Sequence, residues 1–258
     1  MIVIVSDSYA CQWGFAHGTQ PVYKGWQHYI KNPARRSWVT EVAKYCNDQI
    51  DVHGYGGQSW WYSWYQFNKV WKDKLDQIDC MVFCHTDPGR INNGWNHDLI
   101  KHRPEYDKSK DNDESVLARE LFFKYIHDDE FNIFAQQSYF AMLAKMFSHI
   151  KTIHFFTSKP VVGIDQLPGM VFKTPLIQLS IAGATGTRQQ ILEKINDIID
   201  PDSHANHLNM ANNVALGKLV IDSIENYQPG MYEIDFSKFE VVNPNYTAWP
   251  NGNWAYIK

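Results

Sequence analysis

The chain opens on a continuous apolar, β-branched run, Ile2-Val3-Ile4-Val5, which predicts a strand buried on both faces. Shorter stretches of the same kind follow: Ile50 to His53, Ile78 to His85, Lys151 to Thr157, and one within Val171 to Ile181. Between them the apolar positions change to helical spacing. Ser37 can cap a helix that places Trp38, Val39, Val42, Ala43 and Cys46 on one face. Trp60 to Leu75 predicts a helix with rings on several faces, so that some of them line a surface. Helices are also expected over 115–127, 132–149 and 187–199. Met210 to Tyr227 has the clearest pattern, with Met210, Val214, Gly217, Ile221 and Ile224 stepping by four, three, four and three.

Strands that alternate with helices predict a mostly parallel sheet covered on both faces. The expected architecture is a three-layer α/β/α sandwich with five strands, in one domain spanning 1–258. Residues 11–35 carry Gly, Pro and aromatics without a period and read as an ordered loop. Residues 86–114 are polar and charged and read as a long solvated excursion. The tail over 228–258 is expected to wrap the surface.

Composition narrows the class. The 258 residues carry a formal charge of −4, with 44% hydrophobic and 20% charged residues, an ordinary balance for a globular chain. Neither nucleic acid nor an anionic membrane is expected as a partner. Aromatic content is high at 15%, with ten tryptophans; exposed rings can stack on sugars or anchor interfaces. The four cysteines, Cys11, Cys46, Cys80 and Cys84, lack zinc spacing and read as reduced thiols. Neither a signal peptide nor an apolar run near 20 residues is read from the sequence, so synthesis in a cytoplasm is the expectation.

Candidate chemistry gathers where strands end. The first strand stops at Ser6-Asp7-Ser8, the second at Gly56-Gly57-Gln58-Ser59, and the third at His85-Thr86-Asp87. Parallel strands place all three turns on one edge of a sheet, where open α/β folds bind their ligands. The loop Asp200-Pro-Asp-Ser-His-Ala-Asn-His-Leu-Asn209 precedes the last helix and can present an imidazole to that edge.

These blocks resemble those of the SGNH/GDSL hydrolase family, particularly its divergent bacteriophage-encoded members. Ser6-Asp7-Ser8 resembles the Gly-Asp-Ser block, and Ser37 to Thr40 followed by Gly56 to Ser59 resembles the second. Asn206-His207-Leu208-Asn209 resembles the histidine block. The resemblance implies a flavodoxin-like scaffold and a serine esterase that uses no cofactor or metal. It implies Ser8 as nucleophile, His207 as base and Gly57 as an oxyanion amide. The family's third-block Asn is absent here; Thr86, Asn92 or Asn93 would stand in for it. The usual acid position, three before the histidine, is His204, and Asp202 is the nearest carboxylate.

The same residues have other readings. Asp7 or Ser8 could cap a helix, His207 could be structural, and Asp200 and Asp202 suit turns. His204 and His207 could bind a metal, although no third ligand cluster has matching spacing. The expected substrate is a small acyl ester, foremost O-acetyl on a carbohydrate or polysaccharide. The rival expectation is a catalytically degenerate module that binds glycan or protein. Oligomeric state is not legible in the sequence.

Overall fold

A computed structural model describes residues 1–7, 9–10, 37–47, 49–54, 59–86, 128–158, 163–180 and 208–244, with isolated positions between 117 and 126; for 90–92, 98–100 and Asp129 it describes the backbone alone. Six strands form one sheet: β1 (Ile2–Ser6), β2 (Ile50–Gly54), β3 (Cys80–His85), β6 (Lys151–Phe156), β7 (Met170–Pro175) and β8 (Gly230–Tyr232). Their order is β2-β1-β3-β6-β7-β8, and every pairing is parallel. That is the doubly wound flavodoxin-like order, extended by one strand. Its connections reverse direction between β1 and β3, the switch point at which such sheets bind ligands.

The strands are buried because helices cover both faces. On one face lie α1 (Trp38–Tyr45) and α4 (Met210–Glu225). Trp38, Val39, Val42, Leu216 and Val220 pack there against Ile2, Ile4, Cys80, Val82, Ile153 and Phe155. On the other lie α2 (Trp60–Trp71) and α3 (Asp129–Met146). They bring Trp60, Trp64, Phe67, Tyr139, Phe140 and Leu143 against Val3, Val5, Met81, Phe83 and Val171. Alternate strand residues serve the two cores, as the period of two requires.

The tryptophan-rich helix behaves as its pattern predicts. Trp60, Trp64 and Trp71 are buried, whereas Trp61 and Tyr65 are each 55% exposed. Cys80 and Cys84 share a face, both buried and free. Burial pushes the Cys80 thiol up to about 12.

Two expectations need correction. The sheet has six strands rather than five, because Gly230–Tyr232 adds β8 beside β7. The start of the tail is thus part of the sheet, and Ile234 behind it is 5% exposed and in the core. A three-residue Gly-Met-Tyr strand at a sheet edge is too short to show a period. The excursion after β3 also holds an antiparallel ladder, β4 (Arg90–Asn92) with β5 (Asp98–Ile100). The predicted helix over 187–199 lies outside the described residues. Among the described residues no helix is long and apolar enough to cross a membrane.

Candidate active site at the carboxyl edge of the sheet

β1 ends at Ser6, and the chain turns at once. The Asp7 side chain accepts from the Tyr9 amide at 3.0 Å, and the Asp7 carbonyl from the Ala10 amide at 3.3 Å. Asp7 is only 1% exposed, so this carboxylate is built into the turn, as an Asx residue is. Ser8 lies outside the described residues. The turn packs closely on the end of β2, since a Cβ at Gly54 would come within 3.0 Å of Ala10 Cβ.

The turn after β1 and the start of α4 are joined through α1. The Trp38 indole donates to the Tyr9 carbonyl at 2.6 Å. The Trp38 amide donates to Asn213 Oδ1 at 3.2 Å, and Asn213 Nδ2 donates to the Leu208 carbonyl at 3.0 Å. Leu208 is 2% exposed and shares a core with Tyr9 and Ala10. Three hydrogen bonds therefore link the residue after Ser8 to the residue after His207. His207 itself, with Asp202, Asp200 and His204, lies outside the described residues.

Several residues of the sequence blocks have structural duties. Ser37 and Thr40 form a reciprocal capping box on α1. Ser59 caps α2 through the Tyr62 amide, while Gly57 before it lies outside the described residues. Asn209 caps α4, accepting from the Asn212 amide at 2.8 Å. These caps aim the amino ends of α1, α2 and α4 at the edge where β1, β2 and β3 finish.

At the end of β3, Thr86 is 4% exposed, and its hydroxyl has no hydrogen-bond partner among the described residues. Its carbonyl accepts from Gln136 Nε2 at 3.4 Å. Thr86 shares a small crevice with Ser6, Ser63, Trp60, His85 and Tyr139, and Ser63 Oγ donates to the Ser6 carbonyl. Asn92 is placed by its backbone alone, in β4; Asp87 and Asn93 lie outside the described residues. Of the predicted oxyanion groups, Thr86 is the one whose side chain is placed at this edge. Its hydroxyl oxygen is buried beneath the edge.

Two histidines beneath the edge are held neutral. His85 Nε2 and His154 Nδ1 are 3.0 Å apart, and Phe83 stacks on both rings. Burial depresses both imidazoles, His154 to about 3 and His85 also through its neighbour, so the pair is neutral at pH 7. Burial pushes the Cys84 thiol well up, and the charge of Asp7 adds to that.

An Asp–His contact among the described residues lies at β2. Asp51 Oδ2 lies 3.1 Å from His53 Nε2 and accepts from the Trp71 indole at 2.6 Å. Burial works against the Asp51 charge, but His53 and Trp71 outweigh it and hold the carboxyl below its usual range. His53 packs edge-on against Phe67, so this pair fastens α2 to the sheet.

Sequence reasoning missed Trp38 as a polar link, and it missed Gln136, Asn212 and Asn213. A signal existed for the asparagines: adjacent Asn residues inside a helix are poor helix formers and need partners elsewhere. Comparison with family models, with curated proteins and with solved structures returned no match.

Proposed function

We propose that the chain is a serine esterase of SGNH/GDSL type that hydrolyses small acyl esters, foremost O-acetyl groups on a carbohydrate. The observation carrying this reading is the Tyr9–Trp38–Asn213–Leu208 network. It ties the segment holding the candidate nucleophile to the segment holding the candidate base, two hundred residues apart in sequence. It does so at the topological switch point, where ligands of such sheets bind.

In the proposed mechanism Ser8 Oγ attacks the ester carbon while His207 takes its proton. The imidazolium then returns that proton to the departing alcohol, leaving an acyl-serine that water cleaves by the same route. Asp202 would hold the imidazole tautomer and stabilise its cation. The Gly57 amide would donate to the oxyanion, with Asn92 as a further donor from the β4 strand. Each such donor contributes about 3 kcal/mol to the transition state. Support for a carbohydrate comes from Trp61 and Tyr65, each 55% exposed on α2, since flat rings stack on sugar faces.

Those same rings favour one rival, a glycan-binding module without turnover. Hydrolysis of p-nitrophenyl acetate and release of acetate from acetylated polysaccharides separate the two. Turnover by the wild-type chain that disappears in Ser8→Ala supports the esterase. Glycan binding with no turnover, unchanged in Ser8→Ala, would support the module instead.

A further inference from the structure

The α3 helix is apolar on two opposite faces. One face, with Tyr139, Phe140, Leu143 and Phe147 behind its end, lies in the core against the sheet. The other carries Phe131, Phe134, Ser138, Ala141 and Lys145, all of them exposed. These five step by three, four, three and four, so they form one stripe along the helix, opposite the buried face. A helix that only covered a sheet would be polar on that side, yet Phe131 and Phe134 are each 63% exposed. The residues leading into α3 are similar: Leu117, Leu121, Tyr125 and Ile126 are exposed as well. A fully exposed side chain of this size offers about 200 Å². With Ile133, these large residues therefore present about 800 Å² of apolar surface to water. A standard protein–protein interface takes about that area from each partner.

We propose that this stripe is the contact between two copies of the chain, joined by antiparallel pairing of their α3 helices about a two-fold axis. Such an interface has to be self-complementary, and the stripe is so in size and in charge. Its first half is large, Phe131 and Phe134, and its second half is small, Ser138 and Ala141. Antiparallel pairing lays Phe134 over the partner's Ser138 and Phe131 over the partner's Ala141, ring into hollow, in both directions at once. Parallel pairing would set ring against ring and leave the small residues facing a gap. Charge follows the same order. Asp128 and Glu130 flank the amino end of α3, and Lys145 closes the stripe near its carboxyl end, each of them exposed. Reversing one helix brings each Lys145 to the acidic end of the other. An anionic membrane is a poor occupant for a surface bordered by those carboxylates. None of the stripe residues belongs to the candidate site, so the inference stands apart from the esterase reading.

The test is the mass of the full chain by sedimentation velocity across a concentration series, for the wild type and for variants on the stripe. The wild type should sediment as a dimer that dissociates on dilution. Phe134→Glu should raise the dimer dissociation constant at least about 100-fold, because two ring contacts near the centre of the interface are lost. Ser138→Glu fills the facing hollow with charge and should do the same, which keeps the test decisive should one variant fail to fold. Lys145→Glu should weaken the dimer about tenfold, with two exposed ion pairs lost per dimer. Combining it with Glu130→Lys should restore the wild-type constant. A wild type that stays monomeric at every concentration would overturn the inference, as would a dimer that Phe134→Glu and Ser138→Glu both leave intact. A dimer that these variants break but the charge exchange does not rebuild would overturn the antiparallel register. Binding of a monomeric wild type to phosphatidylcholine vesicles, lost in Phe134→Glu, would assign the stripe to a membrane surface and overturn the inference too.

Discussion

Asn212 illustrates how much one buried polar side chain holds in this molecule. It is fully buried, and its Nδ2 donates to the Leu179 and Val241 carbonyls at 2.8 and 2.9 Å. Its Oδ1 accepts from the Glu240 amide at 2.9 Å. Each buried partner left unpaired costs about 1–3 kcal/mol. Asn212→Ala is therefore expected to lose roughly 3 kcal/mol or more in a urea titration, and a loss below about 1 kcal/mol would show that solvent replaces these bonds. At this scale the sequence was least legible. Asn209, read as part of a catalytic block, is a helix cap, and the clamp three residues later went unread. Hydrophobic periodicity reports which face is buried, but not the polar group a buried side chain must find across 30 residues.

Elements were more legible, because their signals are local. Ser37 was read as a cap and is one; β1, β3 and β6 lie within a residue or two of their apolar runs. Gly217 was read merely as a step in an apolar stripe. It marks a close approach of α4 to α1, where an added Cβ would lie 2.6 Å from Glu41 Cβ and 3.1 Å from the Trp38 carbonyl. Gly217→Ala gains helix propensity but forces the two helices apart, and overpacking of this kind costs about 1–3 kcal/mol. Its melting temperature should fall; a rise would mean that α1 gives way without loss. Trp38 belongs to the network linking the candidate site segments, so turnover should fall in this variant along with stability. β8 escaped the sequence reading because three residues carry no period and its partner β7 lies about 60 positions earlier.

For the whole molecule, the buried His85–His154 pair sets a distinctive response to acid. Both imidazoles are held neutral in the fold, His154 down to about 3, whereas the unfolded chain titrates near 6.5. Above pH 6.5 neither state binds the protons and the pair has no effect on the pH dependence. Between about 6.5 and 3 the unfolded chain binds protons that the fold refuses, so stability falls as pH falls. Each histidine contributes a slope of about 1.4 kcal/mol per pH unit in that window. Urea titrations between pH 6 and 4 should show a shallower slope for His154→Leu by about one proton; an unchanged slope would place the acid response in the carboxylates. The architecture was legible because β1, β2 and β3 are separated by helices, as are β3 and β6, and the strand order then sets the switch point. The candidate site was legible only as blocks at strand ends, since a contact such as Trp38 with Asn213, 175 positions apart, leaves no mark on local patterning. The central claim is that Ser8 is a nucleophile activated by His207. The most direct measurement is mass-spectrometric mapping of a fluorophosphonate adduct on the wild-type chain and on His207→Ala. The account predicts one adduct, on the peptide containing Ser8, formed at least about 100-fold more slowly in His207→Ala. Labelling at any other serine, or labelling of Ser8 at an equal rate without His207, would contradict it.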